Sequence, residues 1–326
     1  MQLVEKSLWA EADVLADLRR AFDGGAQAME IDARLDADGN FVVAHGTRSP
    51  SGRLIAETNA TGLGDAVPLA AALALLASYP AKRLVVEVKT LGRHAGQEAN
   101  ARHLADVVAA AGVAGRVSIS SLSPAILLAV HRVWPAVPLI LNGALAPVIS
   151  YPDGPVGRCL ARRLASHRGY WRIGVKGRYI VLASGAGALA AARDNDAAAA
   201  RGETIYVLTE LPAELAAVLC AQRAAGVVCG GAVSVANVTT WCNALRRLGL
   251  RVWPQRIGRR IVATVHKLGL NVQTTTWGAI NSATNVAVWR PENQIKQLLA
   301  EGLGPDDIVY TRGIGPALWS AIEERN

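Results

Sequence analysis

Residues 26–46 read AQAMEIDARLDADGNFVVAHG, and this stretch determines how the rest of the chain is interpreted. Glu30 and Asp32 are two positions apart, so on an extended strand both carboxylates point to the same face. Residues 36–40 have the composition of a turn, and the apolar run after them ends at His45. Two carboxylates and an imidazole at the ends of neighbouring strands predict a hard-metal site with acid–base chemistry beside it.

Strand-like and helix-like patterns alternate outward from this stretch. The predicted strands are residues 3–9, 29–35, 41–45, 83–90, 116–121, 138–142, 179–183, 204–209, 271–277 and 307–311. The predicted helices are residues 11–23, 67–78, 98–111, 124–133, 215–225, 261–268 and 295–300. A repeated strand–loop–helix unit is typical of a parallel α/β fold.

About eight such units in one chain favour a (β/α)8 TIM barrel. We expect a single domain over residues 1–326, with an inserted or irregular basic segment at about residues 143–235, where the alternation is unclear. A doubly wound open sheet is the alternative, but the sequence has neither a dinucleotide glycine fingerprint nor a Walker loop.

The composition predicts a folded, soluble protein. Hydrophobic residues make up 51% of the chain and charged residues 18%, which is enough to build a core. The four cysteines stand singly, which favours free thiols in a reducing compartment. The start lacks the pattern of a signal peptide and no apolar run reaches the length of a membrane span, so we expect a cytoplasmic location.

The net charge of +8 favours anionic partners. Much of the excess lies in residues 158–178, RCLARRLASHRGYWRIGVKGR. A solvated basic surface, a groove for an anionic substrate and nucleic-acid binding are all compatible with this run. No nucleic-acid-binding signature accompanies it, so we expect no nucleic-acid partner.

In a barrel, functional side chains lie where the strands end. Charged, polar or aromatic residues close several predicted strands: Glu30, Asp32, His45, Glu87, Lys89, Ser120, Ser121 and Trp277. They come from distant parts of the sequence but share one structural position, which predicts an active site there. The other five histidines are interpreted as ordinary surface residues.

These motifs, in this order, resemble the glycerophosphodiester phosphodiesterase superfamily, whose members are TIM barrels. The matching segments are Gly25-Ala26 before Glu30-Ile31-Asp32, residues 41–45, Glu87-Val88-Lys89, and Trp277 followed by Asn281. The short gap between Asp32 and His45 is similar to that of the sphingomyelinase D and phospholipase D-like branch. That branch has a disulfide just after this histidine, whereas residues 46–52 contain no cysteine, which favours a cytoplasmic bacterial-type relative.

The resemblance implies that Glu30, Asp32 and Glu87 hold one divalent cation, Mg2+ or Ca2+. Exposed strand-end charges are the alternative for Glu30 and Asp32. For Glu87 that alternative is weaker, because Glu87 follows an apolar strand on which an unpaired carboxylate is costly.

The resemblance also assigns roles to three further residues. His45 would be the general acid or base, Lys89 would bind a phosphate oxygen, and Trp277 would line the substrate cleft. The alternatives are a structural histidine, a salt bridge from Lys89 to Glu87 or Asp32, and simple core packing of the indole.

Ala10 is a departure from the family, which has another catalytic histidine at the corresponding position. No histidine precedes His45 in this chain. An engineered substitution, a natural loss, or transfer of the proton-transfer role to Glu11 would each explain the alanine. Retention of the other matching positions favours the engineered substitution.

The predicted function is a metal-dependent phosphodiesterase or phosphotransferase acting on a small glycerophospho-, choline- or sugar-phosphodiester. In the branch that this chain resembles, a hydroxyl group of the substrate often displaces the leaving group and forms a cyclic phosphate. Two alternatives use the same barrel: an opine-type synthase of sugar phosphodiesters, and a catalytically inactive binding protein.

Overall fold

The computed structural model describes most of the first 142 residues and several shorter stretches after them. The described residues are 2–6, 14–64, 66–92, 96–142, 171–175, 178–182, 204–208, 211–234, 259, 262–263, 265–275, 299–300 and 302–311. Within that part of the chain, no helix combines the length and hydropathy needed to cross a bilayer.

Helices alternate with strands mainly in the N-terminal part of the described chain, up to residue 141. The strands are β1 (Gln2–Lys6), β2 (Ala28–Leu35), β3 (Phe41–Val43), β4 (Val67–Pro68), β5 (Arg83–Val88), β6 (Val117–Ser121), β7 (Leu139–Leu141), β8 (Trp171–Val175), β9 (Arg178–Leu182), β10 (Thr204–Leu208), β11 (Ala232–Ser234), β12 (Asn271–Thr275) and β13 (Ile308–Thr311). The helices are α1 (Val14–Asp23), α2 (Leu69–Ala77), α3 (Gln97–Ala110), α4 (Pro124–Val133) and α5 (Ala213–Ala224). Short 3-10 turns cover Ile55–Glu57 and Ala114–Arg116.

Among the described residues, eight strands pair side by side and all in parallel, in the order β1-β13-β12-β11-β7-β6-β5-β2. Strand β2 also pairs in parallel with β1, which links the two ends of this sheet. Strands β3 and β4 extend it from β2 in antiparallel pairing. The predicted α/β fold with a predominantly parallel sheet is therefore confirmed.

Apolar side chains form one layer on each face of the parallel strands. The outer layer joins helices α1–α5 to outward-facing strand residues such as Met29, Ile31 and Ala33. The inner cluster joins residues from six different strands and the turn before β11: Val4, Ala28, Val85, Ile140, Cys229, Ala232, Ile308 and Tyr310. Because side chains alternate along a strand, Glu30 and Asp32 lie on the same face of β2 as Ala28, the inner face.

The middle of the chain contains a second sheet. Strand β9 pairs with β8 in antiparallel and with β10 in parallel, and all three lie in the segment predicted as inserted or irregular. Helix α5 and strand β11 lie in that segment too, but β11 pairs with β7 and β12 of the main sheet. Strand β8 was not among the strands predicted from the sequence.

Several element boundaries differ from the prediction. Helix α2 begins at Leu69 rather than at residue 67, because Val67 and Pro68 pair with β3 in extended conformation. Strand β3 ends at Val43, two residues before His45. Strand β11, which was not among the predicted strands, starts at Ala232 after a turn in which Cys229 has a positive φ of 54°.

Candidate active site

Strands β2 and β5 bring three carboxylates together on the inner face of the sheet. Asp32 and Glu87 are direct partners in the β2–β5 register, and Glu30 precedes Asp32 by two positions. One carboxylate oxygen from each of the three lies within 4.8 Å of the other two, and all three residues are buried. The structure therefore brings together acids that the sequence places on two separate strands.

The position of Glu30 and Asp32 along β2 differs from the prediction that they close the strand. Strand β2 continues to Leu35, and its last three residues pair with β3 in a hairpin. The last parallel pair with β5 is Ala33 with Val88. Asp32 therefore lies at the level where β5 ends, although β2 itself continues beyond it.

Lys89 follows β5 directly, and its side chain lies between two of the acids. Its Nζ atom is 3.0 Å from Asp32 Oδ1 and 2.7 Å from Glu87 Oε1, and the side chain is only 11% exposed. Burying ionised carboxylates is costly, and the ammonium group offsets part of that cost. Of the two roles open for Lys89, the structure shows the salt bridge, and contact with a phosphate stays a prediction.

His45 follows the β2–β3 hairpin and does not close a parallel strand. The hairpin turns at Asp36, whose Oδ1 atom accepts hydrogen bonds from the backbone N–H groups of Asp38 and Asn40. After β3, the Ala44 N–H donates to the Asp32 carbonyl at 2.9 Å. His45 is the next residue and is half-buried.

Arg34 is a charged residue of this region that the sequence interpretation did not select. It follows Asp32 by two positions on β2, is 6% exposed, and donates from Nε and Nη2 to the backbone carbonyl of His45 at 3.3 and 2.9 Å. Its spacing of two residues from Asp32, which places it on the same face of the strand as Glu30 and Asp32, could have identified it from the sequence.

Neutral polar side chains continue the inner face beyond the acids. Ser120 is the register partner of Glu87, and its Oγ accepts a hydrogen bond from Asn142 Nδ2 at 3.3 Å. Ser120, Asn142 and Gln273 are all buried. Within the described part of the chain, neither Asn142 Oδ1 nor Gln273 Oε1 has a hydrogen-bond partner. The sequence interpretation did not assign Asn142 or Gln273 to the site.

Tyr310 shows the electrostatic effect of the acid cluster. Its side chain is buried in β13. Burial raises the pKa of the Tyr310 hydroxyl well above its ordinary value, and the negative charges of Glu30, Cys229, Glu87 and Asp32 raise it further, in that order. The phenol is therefore a neutral neighbour of the carboxylates.

Two predicted site residues lie outside the described residues. These residues are Ala10 and Trp277, and Asn281, which belongs to the same motif as Trp277, also lies outside the described residues. Their roles stay predictions.

The prediction that the remaining histidines are ordinary surface residues is wrong for two of them. His266 Nε2 lies 2.8 Å from Oδ2 of the buried Asp307, just before β13 begins. His103 stacks on Phe41 with ring centroids 5.9 Å apart. Both contacts join elements that are distant in sequence, which a pattern of local residues does not reveal.

The three buried carboxylates form a donor set that can bind a metal ion. Carboxylate oxygens are the ligands preferred by hard cations such as Mg2+ and Ca2+, whereas zinc sites usually include histidine or cysteine. Their separation also fits a single ion contacted by all three, since oxygen ligands around one ion lie a few ångströms apart.

Comparison with known proteins gives structural neighbours only. No family profile and no curated protein matches the chain. A glycerophosphodiester phosphodiesterase from Parabacteroides distasonis superposes with a TM-score of 0.54 at 13% identity, covering 99% of this chain and 97% of that one. A Silicibacter pomeroyi protein assigned to the glycerophosphoryl diester phosphodiesterases gives a TM-score of 0.53 at 16% identity, covering 99% and 94%. The chain therefore shares the fold of glycerophosphodiester phosphodiesterases.

Proposed function

We propose that this protein is a metal-dependent phosphodiesterase or phosphotransferase that acts on a small phosphodiester. The observation that carries the proposal is the buried cluster of Glu30, Asp32 and Glu87, paired with Lys89 on the inner face of the parallel sheet. The shared fold supports it, because the neighbours with that fold are glycerophosphodiester phosphodiesterases. A cytoplasmic location and a single domain are part of the proposal.

Glu30, Asp32 and Glu87 would hold one Mg2+ or Ca2+ ion. When bound, such an ion neutralises charge on a phosphate oxygen and makes the phosphorus more susceptible to attack. Lys89 lies beside two of the acids, and its ammonium group would contact a second phosphate oxygen as a point charge. Together these residues would orient the diester for in-line displacement.

His45 would transfer the proton. As the oxygen of the attacking hydroxyl forms a bond to phosphorus, the bond to the leaving oxygen breaks. One group must accept the proton of the attacker and another must protonate the leaving oxygen. His45 would supply one of these roles, and the resemblance assigns the other to position 10, where this chain has alanine.

The source of the attacking hydroxyl distinguishes the finer versions of the proposal. Attack by water gives a phosphomonoester. Attack by a hydroxyl of the substrate gives a cyclic phosphate, as expected for the sphingomyelinase D and phospholipase D-like branch. Attack by a second alcohol gives a new diester, as in an opine-type synthase. Trp277 would line the cleft in each case.

The test is a 31P NMR assay on EDTA-treated protein with and without added Mg2+ or Ca2+. The substrates are glycerophosphocholine, a choline phosphodiester and a sugar phosphodiester, and the proteins are the chain as it stands and the Ala10→His variant. The proposal predicts a metal-dependent monoester, cyclic phosphate or transfer product that disappears in Glu87→Gln. A stably folded Ala10→His variant that turns over none of these substrates would contradict the proposal that the protein is an enzyme. It would favour the alternative, a catalytically inactive binding protein.

A further inference from the structure

We infer that Arg34 is a positioning residue for His45, fixing the imidazole relative to the carboxylates on β2. The inference deepens the proposed function, because it concerns the group that would transfer the proton.

Arg34 occupies the inner-face position that follows Glu30 and Asp32 on the same strand. Its two N–H groups converge on one acceptor, the His45 carbonyl, at 2.9 and 3.3 Å. The side chain is 6% exposed, and a guanidinium group is buried only where hydrogen bonds satisfy it. The contact is therefore part of the packed structure rather than a surface pairing.

His45 is tied to β2 at two successive points. The Ala44 N–H donates to the Asp32 carbonyl, and the His45 carbonyl accepts from Arg34. Both partners belong to the strand that carries the carboxylates. The backbone of the proposed proton-transfer residue is thereby held to the same rigid element as two of the proposed metal ligands.

The planar guanidinium is suited to this contact and an ammonium group is not. Arginine presents donors in a fixed fork, whereas lysine presents a flexible point charge on a shorter reach. Replacing Arg34 with lysine keeps the charge but removes the paired donation to the carbonyl. A displacement of about 1 Å in a catalytic group can lower a rate roughly a hundredfold.

The chain offers a matched control in Arg116. Its Nη1 atom donates to the backbone carbonyls of Leu76, Tyr79 and Lys82, and it lies just before β6, at the N-terminal end of the parallel strands. Arg116→Lys therefore removes a comparable set of backbone contacts at the end of the strands opposite to the acids.

The test is the imidazole 1H–15N spectrum at one fixed pH, recorded for the unmodified chain, Arg34→Lys, Arg34→Gln and Arg116→Lys, with His45→Gln to assign the His45 signal. We expect the His45 signal to shift or broaden in both Arg34 variants and to stay unchanged in Arg116→Lys. The kinetic measurement uses whichever protein turns over phosphodiesters, the unmodified chain or the Ala10→His variant. In that protein we expect Arg34→Lys to lower kcat roughly 10- to 100-fold, while KM and Mn2+ affinity change by less than about threefold.

An unchanged His45 signal in a folded Arg34→Lys variant would overturn the inference, and so would an equal change in Arg116→Lys. The spectrum needs neither metal nor substrate. A chain that fails to bind Mn2+ or turn over phosphodiesters would therefore refute the proposed function, while the His45 signal would still decide the role of Arg34. Should Arg34→Gln fail to fold, Arg34→Lys, which keeps the charge, decides alone.

Discussion

At the scale of single residues, removing the Lys89 side chain should have the most direct effect on the charge balance of the acids. It contacts Asp32 and Glu87, and the side chains of these three residues are 11%, 4% and 5% exposed. Removing one partner of a buried ion pair leaves charge uncompensated and typically costs about 3–5 kcal/mol. We predict that Lys89→Met lowers the free energy of unfolding of metal-free protein by about 3 kcal/mol, measured by urea denaturation.

The same variant should respond more strongly to a cation. Mn2+ would offset the charge left by the missing ammonium, so the rise in Tm on adding Mn2+ should be larger in Lys89→Met than in the unmodified chain. The exposed Lys267 gives the control, since Lys267→Met should change neither quantity. A Lys89→Met variant as stable as the unmodified chain without metal would show that the pairing contributes little.

Cys229 gives a prediction about alkaline pH. Burial raises the pKa of its thiol to about 11, and Arg83 opposes this only in part. In the unfolded chain the thiol ionises near pH 8.5, so between these values the folded state binds more protons and stability falls as pH rises. From pH 7 to pH 10 this loss amounts to about 2 kcal/mol.

The measurement is urea unfolding at both pH values for the unmodified chain and for Cys229→Ala. We expect the loss of stability between pH 7 and pH 10 to be smaller by about 2 kcal/mol in Cys229→Ala. Cys220→Ala serves for comparison, because Cys220 is less buried and its pKa is raised less. Parallel pH dependence in the unmodified chain and Cys229→Ala would contradict the assignment.

At this scale the sequence could predict the acids and the place of Arg34 on their face of β2, but not the contact of Arg34 with His45. The spacing of Glu30 and Asp32 places both on one face of any strand, whatever the fold. The meeting of Glu87 with them needs only the assumption that neighbouring strands are parallel. The contact of Arg34 with His45 depends on the path of a hairpin loop, and no local pattern encodes that path.

At the scale of elements, the turn from α5 into β11 depends on close backbone approach. A Cβ atom on Gly231 would lie 2.5 Å from the Leu219 carbonyl oxygen and 2.6 Å from the Arg223 nitrogen, so the turn and the helix would have to separate. We predict that Gly231→Ala lowers the free energy of unfolding by more than about 3 kcal/mol.

Gly226 separates this effect from backbone strain. Its φ of 66° is nearly that of Gly231, 65°, but a Cβ atom there would meet nothing within 4 Å. Gly226→Ala should therefore cost only about 1 kcal/mol, the strain of a left-handed alanine. Equal losses in the free energy of unfolding of the two variants, measured by urea denaturation, would show that the close approach of the turn to helix α5 does not determine the loss in Gly231→Ala.

Element boundaries followed the sequence where capping signals are present. Helix α4 is predicted correctly over residues 124–133 because Ser123 caps it, accepting from the Ile126 N–H, and Pro124 occupies its first turn. Strand β11 has three residues and follows a turn with a positive-φ cysteine. Its own residues therefore give a weaker strand pattern than the apolar residues 226–229 before it. Pairing with β7 and β12 defines this strand, and that pairing is long-range.

At the scale of the whole molecule, the alternation of strands and helices predicted the fold class. Parallel strands need helical crossovers, and that requirement is visible in the spacing of apolar runs. The separate sheet of β8–β10 was not predictable in the same way, because it combines parallel and antiparallel pairs without a repeated unit. Strand β8 lies within the basic residues 158–178, whose composition indicates a charged surface rather than a strand.

The central claim is that Glu30, Asp32 and Glu87 bind one cation, and anomalous diffraction from a crystal soaked in Mn2+ tests it most directly. The account predicts one anomalous peak about 2.0–2.6 Å from a carboxylate oxygen of each of the three residues. In crystals of Glu87→Gln that peak should weaken or vanish, whereas in Asp306→Asn, which changes an exposed acid, it should remain. A well-ordered crystal with no peak among these carboxylates, or with Mn2+ only at surface acids, would contradict the account.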